Sequence, residues 1–211
     1  MNLDVASYIG AVTREVVGRE HEGKPARVVV ASRSYDTTPE DLWDALTSAE
    51  RIPRWFLPIS GELKLGGRYQ LEGNAGGTIT ACEPPRQLSV TWEFGGGTTW
   101  VNVSLAAKGA GTLLELEHIA LIAGGEPFWD QFGPGAVGVG WDLTLIGLAL
   151  HLASGAAVDK AEFAAWSASD DGKAFAAQSS EGWRRASIAY GTDEAAANAA
   201  AAQTTKFYQG G

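Results

Sequence analysis

A chain of 211 residues, 45% of them hydrophobic, can bury one sizeable core, or one domain with helical extensions, without disulfide staples. Its net charge of −9, with no Lys/Arg cluster in view, argues against nucleic acid or an anionic membrane surface as the main partner. Cys82 is the single cysteine, which excludes a disulfide framework and a cysteine-based metal site and suits a reducing cytoplasm.

Leu3, Ala6, Ile9, Val12 and Val16 recur at helical spacing and predict an amphipathic helix over residues 2–18, outside the main domain. Asp4, Arg14 and Glu15 interrupt any apolar run there, so the segment does not read as a secretory signal. His21 to Pro25, polar and Gly/Pro-containing, reads as a linker. The Val28-Val29-Val30 run predicts a strand from Arg27 to Tyr35.

Thr38-Pro39-Glu40-Asp41 starts a helix: Thr38 can cap free N–H groups, Pro39 suits the first helical position, and the two acids favour the positive end of the dipole. Leu42, Ala45 and Leu46 give it an apolar face, and a second short turn follows from Ala49 to Trp55. From Ile59 the pattern changes to strands punctuated by Gly66-Gly67, Gly76-Gly77, Gly95-Gly96-Gly97 and Gly109 to Gly111. Leu88, Val90, Trp92 and Phe94 alternate with Ser89, Thr91 and Glu93, a period of two. Val101, Val103 and Leu105 share one face of the next strand, with Trp100 and Asn102 on the other. No helix separates these strands, so neighbours are antiparallel and joined by hairpins.

Gly140 to Ala153 then forms an apolar helix. The surrounding stretch from Phe132 to Val158 carries Asp142, His151 and several Gly/Pro breaks, which suits a buried core helix better than a membrane span. A long antiparallel sheet followed by one buried helix makes a grip. The sheet curls around the helix and leaves room for a hydrophobic cavity. Beyond Gly155 the chain turns Ala-rich, with helices expected at Lys160 to Trp166, Lys173 to Tyr190 and Asp193 to Thr205. A helix of that last composition buries little alone, so it needs a partner surface within the chain or on a second subunit.

Consecutive landmarks resemble a known family. They are Thr38 to Thr47, then Arg54-Trp55-Phe56, then Gly61 with Leu65-Gly66-Gly67-Arg68-Tyr69. Gly77-Thr78-Ile79 leads on to Glu83-Pro84-Pro85-Arg86-Gln87-Leu88 and Thr91-Trp92-Glu93, and Gly111 to His118 closes the series. Together they resemble the activator-of-heat-shock-protein-90-ATPase-homologue branch of the START-like (SRPBCC) superfamily. The resemblance implies an α+β helix-grip (START/Bet v-like) fold, a curved antiparallel sheet wrapped around a long C-terminal helix, with extra terminal helices. It divides the chain into an N-terminal helix and linker (1–25), a START-like domain (26–155) and an Ala-rich helical extension (156–211). Superfamily members include lipid carriers, hormone receptors and cyclases, so fold does not fix function.

His118 shares a strand parity with Leu114 and Leu116 and is expected to face the long helix. It reads either as a group that orients a ligand or acts as acid/base, or as a hydrogen-bonded core residue. Trp55, Trp92, Trp129 and Trp141 lie where the family arrangement puts a cavity or its entrance, and Leu116 and Leu145 join them as candidate ligand contacts. His151, late in the long helix, suits the negative end of its dipole. Asp142 reads as capping a turn after Gly140, as pointing to water, or as a carboxylate opposite His118. No phosphate loop, metal-ligand spacing or nucleophile elbow occurs, so neither cofactor nor metal is expected. The expectation is a cytoplasmic protein that holds a small apolar molecule, with a small cofactor-independent enzyme (cyclase, hydratase or isomerase) as the alternative. A chaperone-associated module is the weaker third reading, and the terminal helices allow a homodimer.

Overall fold

The N-terminal segment departs from its helical spacing. In the structure, a computed structural model that describes residues 3–122 and 127–210, helix α1 occupies only Val5–Gly10, capped by Asp4, whose carboxylate accepts from the Ser7 N–H at 3.1 Å. The chain then extends as β1 (Val12–His21), turns at Glu22 (φ 51°) and Gly23 (φ 74°), and returns as β2 (Lys24–Tyr35). The helix expected over 2–18 and the linker over 21–25 are both corrected: most of that stretch is a strand and its hairpin turn. Val12 and Val16 are four residues apart, an even spacing that one strand face accepts as well as a helix does. The β-branched Val12, Thr13, Val16 and Val17 then favour the extended form.

Helix α2 (Pro39–Thr47) starts as its sequence predicts, with Thr38 accepting from the Asp41 N–H at 3.3 Å and Leu42 and Ala45 fully buried. A single turn, α3 (Ile52–Trp55), follows. Strands β3 (Ile59–Gly61), β4 (Arg68–Leu71), β5 (Gly76–Glu83), β6 (Gln87–Phe94), β7 (Gly97–Lys108) and β8 (Gly111–Leu121) pair antiparallel in succession. The eight-stranded curved sheet has the order β1-β2-β8-β7-β6-β5-β4-β3, in which only the β2–β8 step skips along the chain.

Helix α4 (Pro127–Phe132), not anticipated, precedes the long α5 (Gly135–Ser154). Among the described residues α5 is the one helix long and apolar enough to cross a membrane, and more than half of its most apolar stretch is buried within the protein. The tail forms α6 (Lys160–Ala168), α7 (Asp170–Ala189) and α8 (Glu194–Tyr208), close to the segments expected.

The chain divides into two compact units. The first holds Met1–Ala31, Leu121–Leu143 and Asp159–Gly211, and the second Ser32–Ala120 and Thr144–Val158, so β2, β8 and α5 each run through both. The first unit is built on Trp166, Phe175 and Trp183, all buried. A Cβ at Gly138 would lie 2.2 Å from the Trp183 ring, so only glycine lets α5 pass that indole. The second unit is built on one face of its sheet.

Candidate functional site

Strand register assembles the face. On β7 and β8, Val101 pairs with His118, Val103 with Leu116 and Leu105 with Leu114, and all six are buried. On β6, Leu88 pairs with Val103, Val90 with Val101 and Trp92 with Thr99. Burial changes along this row. Leu88, Val90 and Trp92 are only half-buried, and they pack with Phe56, Leu57 and Ile59 against the buried Tyr69, Leu71 and Ile79. Phe94, which shares their alternation, is exposed beside the glycine turn, so the face ends at Trp92. A sheet face that is sealed at β8 and half-open at β6 presents contiguous apolar surface to whatever lies against it.

The polar centre of this face is His118. Its Nε2 lies 2.8 Å from Thr99 Oγ1, one strand away, and its ring meets Trp92 edge-on at 6.2 Å. Burial disfavours the charged imidazolium and pushes the pKa from the ordinary 6.5 down to about 4, so the ring is neutral at physiological pH. Thr99 was not singled out from the sequence, although its parity with Val101 and Val103 already puts it on the same face.

Of the other expected contacts, Leu116 and Leu145 are buried in the second unit, and the Leu145 carbonyl accepts from the Tyr35 hydroxyl at 3.2 Å. Trp55 is half-buried: its indole N–H donates to the Ala45 carbonyl at 2.9 Å and its ring stacks on Phe56 at 5.6 Å. The hydrogen bond joins α3 to α2. The helix α5 backbone passes close to α3, since a Cβ at Gly147 would sit 2.5 Å from the Trp55 carbonyl oxygen. Trp129 and Trp141 belong to the first unit. Trp141 is buried in the first half of α5, and Trp129 lies under the Arg27 guanidinium, 4.7 Å from its ring centre.

Two readings of polar residues are revised. His151 is buried, with Nδ1 2.7 Å from the Ala156 carbonyl and Nε2 3.4 Å from Arg51 Nε. These two contacts tie the end of α5 to the Ala156 turn and to Arg51, so the ring is held by side-chain and backbone partners and not by the helix dipole alone. Asp142 is buried in the first unit, where its Oδ2 accepts from Arg14 Nε at 2.8 Å, from the Ser179 hydroxyl and from the Trp183 indole N–H at 3.1 Å. It neither caps a turn nor meets water. Burial raises its pKa against the opposing pull of Arg14, Ser179 and Trp183. Arg14 lies 128 residues away in the chain, beyond any spacing rule. Among the described residues no group of three or more His, Cys, Asp or Glu side chains could hold a metal ion.

The comparisons with known proteins agree with the fold. The crystal structure of CalU16 from Micromonospora echinospora is 30% identical, with a TM-score of 0.67 over 83% of this chain and 98% of that one. The solution structure of CalU16 gives 29%, 0.71, 85% and 97%. Protein MLL2253 from Mesorhizobium loti is 26% identical, with a TM-score of 0.53 over 60% of this chain and 97% of that one. DynU16, a protein in the dynemicin biosynthetic locus, shares the fold at 20% identity and a TM-score of 0.53, over 62% of this chain and 48% of that one. No curated protein matches. The family model described as Activator of Hsp90 ATPase homolog 1-like protein matches residues 36–153, more than half of the sequence. The chain belongs to the Activator of Hsp90 ATPase homolog 1-like family, within the START-like superfamily.

Proposed function

We propose that the second unit binds a small hydrophobic molecule against the apolar face of β6, with His118 and Thr99 selecting among ligands through one or two hydrogen bonds. The carrying observation is the half-buried row Leu88, Val90 and Trp92, continuous with buried apolar residues and ending at the buried His118 and half-buried Thr99. Covering such a row removes apolar area from water at about 25 cal/mol per Å². Trp55, Leu116 and Leu145 support the face from the elements that frame it, while Trp129 and Trp141 are assigned no contact at it.

A catalytic role for His118 draws less support. A ring that gives up its imidazolium proton near pH 4 is no general acid at neutral pH, and it is a weaker base than one tuned near 7. A chaperone-associated role is suggested by the family description alone. We further propose a cytoplasmic location, on the single free Cys82, and a homodimer through the terminal helices, on the exposed Phe128 and Phe207. Light scattering that returns a monomer at all concentrations would remove the dimer.

The test is native mass spectrometry of the purified protein, followed by titration with the neutral apolar fluorophore N-phenyl-1-naphthylamine. A co-purified apolar molecule or saturable binding by the probe is expected, weakened by Trp92→Ala. His118→Ala should cost a ligand with one hydrogen bond about 1–3 kcal/mol, whereas an enzyme would lose turnover with its fold intact. A protein that carries nothing and shows no saturable binding refutes the proposal.

A further inference from the structure

The first unit contains a cavity of about 640 Å³, half-open to solvent, between β2, α4 and the turn from α7 into α8. Its volume falls in the range of small-molecule sites, roughly 300–1,000 Å³. Gly191, at φ 109°, carries the chain from α7 towards α8 with no side chain to fill the space, and Gly133, Ala196, Ala197 and Ala200 keep the other walls low. Among the described residues that line it are one cation, Arg27, and one anion, Asp130, so the lining has no net charge. Arg27 is already engaged, with its guanidinium 4.7 Å from the Trp129 ring centre, and Asp130 is exposed to water. Neither singles out an ionic ligand.

The polar groups of the lining that are sheltered from water are two hydroxyls, since Tyr190 is exposed. Ser187 is 2% exposed and Thr192 half-buried, and Ser187 Oγ donates to Thr192 Oγ1 at 2.9 Å. Two hydroxyls own two hydrogens and that bond uses one, so the pair keeps one hydrogen to give and lone pairs to receive. No other hydrogen bond to either hydroxyl occurs among the described residues. A donor and an acceptor side by side, away from water, are matched without charge by a carboxamide, which presents its own acceptor and donor side by side. We propose that this cavity is a second ligand site, separate from the apolar face of the second unit, and that its occupant is an uncharged aromatic carboxamide. Its C=O accepts the remaining hydroxyl hydrogen and its N–H donates to the neighbouring hydroxyl oxygen, while Trp129 and the methyl groups of Ala197 and Ala200 give the ring apolar contact.

The experiment is a ligand-observed NMR titration of the full chain with benzamide and three molecules of the same shape: benzoate (anionic), benzamidine (cationic) and acetophenone (neutral, without the N–H donor). Benzamide should bind saturably at a Kd of about 1 mM or tighter, as a fragment of that size allows. The other three should bind at least about tenfold more weakly, because each leaves a hydroxyl unmatched or brings an unpaired charge. Thr192→Val, which keeps the shape and removes one hydroxyl, should weaken benzamide by a similar factor. Ala196→Phe, at an exposed position in the wall, should abolish its binding while the melting temperature is kept, and Trp92→Ala in the other unit should leave it unchanged. No saturable benzamide binding up to about 10 mM overturns the proposal, since weaker association has no specific meaning at this size. Equal or tighter binding of any of the three counterparts, or binding lost through Trp92→Ala and kept in Thr192→Val and Ala196→Phe, overturns it equally.

Discussion

Replacing His118 with glutamine removes a titrating group while keeping a side chain that can still bond to Thr99. The folded protein holds the His118 ring neutral down to about pH 4, whereas the unfolded chain takes up a proton near the ordinary 6.5. Between those values the unfolded state binds more protons, so the stabilisation is fully present above pH 6.5 and is lost as pH falls towards 4. A fall from 6.5 to about 4, at about 1.4 kcal/mol per pH unit, corresponds to about 3 kcal/mol. The assay is urea unfolding followed by tryptophan fluorescence, for parent and variant, in steps from neutral pH to about pH 4. The parent should lose about 3 kcal/mol more than His118→Gln across that interval. Titration of Asp142 and other carboxylates is common to both proteins and cancels in the difference. Parallel curves would refute the claim that burial holds this ring neutral, and with it the neutral polar centre assigned to the β6 face.

Gly147→Ala places a methyl group 2.5 Å from the Trp55 carbonyl oxygen, so α3 or α5 must shift; a loss of about 1–3 kcal/mol in urea unfolding is expected. Unchanged stability would contradict the close approach of those two helices. Arg14→Met leaves the Asp142 carboxylate buried without its cation and should cost about 3–5 kcal/mol at neutral pH. Because burial already raises the Asp142 pKa, that cost should shrink as acid protonates the carboxylate, which unfolding curves at about pH 5 and about pH 7 will read. Thr38→Ala removes the cap of α2 and should lower stability by about 1 kcal/mol, with Thr38→Ser restoring most of it.

How much was legible in the sequence follows the range of the interaction that decides each feature. Helix α2 was readable because its start depends on four adjacent residues, Thr38 to Asp41, that cap and orient it locally. The strands β6 to β8 were readable because a period of two repeats over each of them, and that parity also put Leu114, Leu116 and His118 on one face. The N-terminal strand was not readable, because residues four apart satisfy both periods and the choice falls to long-range packing. The partners of Asp142 were hidden for the same reason, since Arg14 and Ser179 lie 128 and 37 residues away. Trp129 was expected beside a helix-grip cavity; it stands under Arg27 in the first unit, a pairing no spacing rule reaches.

The sequence by itself determined the family, the strands after the first and the long apolar helix, because these rest on local propensity and on the order of short motifs. Only the tertiary structure decided that β6 is left half-covered, that His118 is neutral and bonded to Thr99, and that small residues such as Gly133, Gly191 and Ala200 wall a half-open cavity in the first unit. Burial and proximity depend on which distant surfaces meet, and no local pattern encodes that meeting.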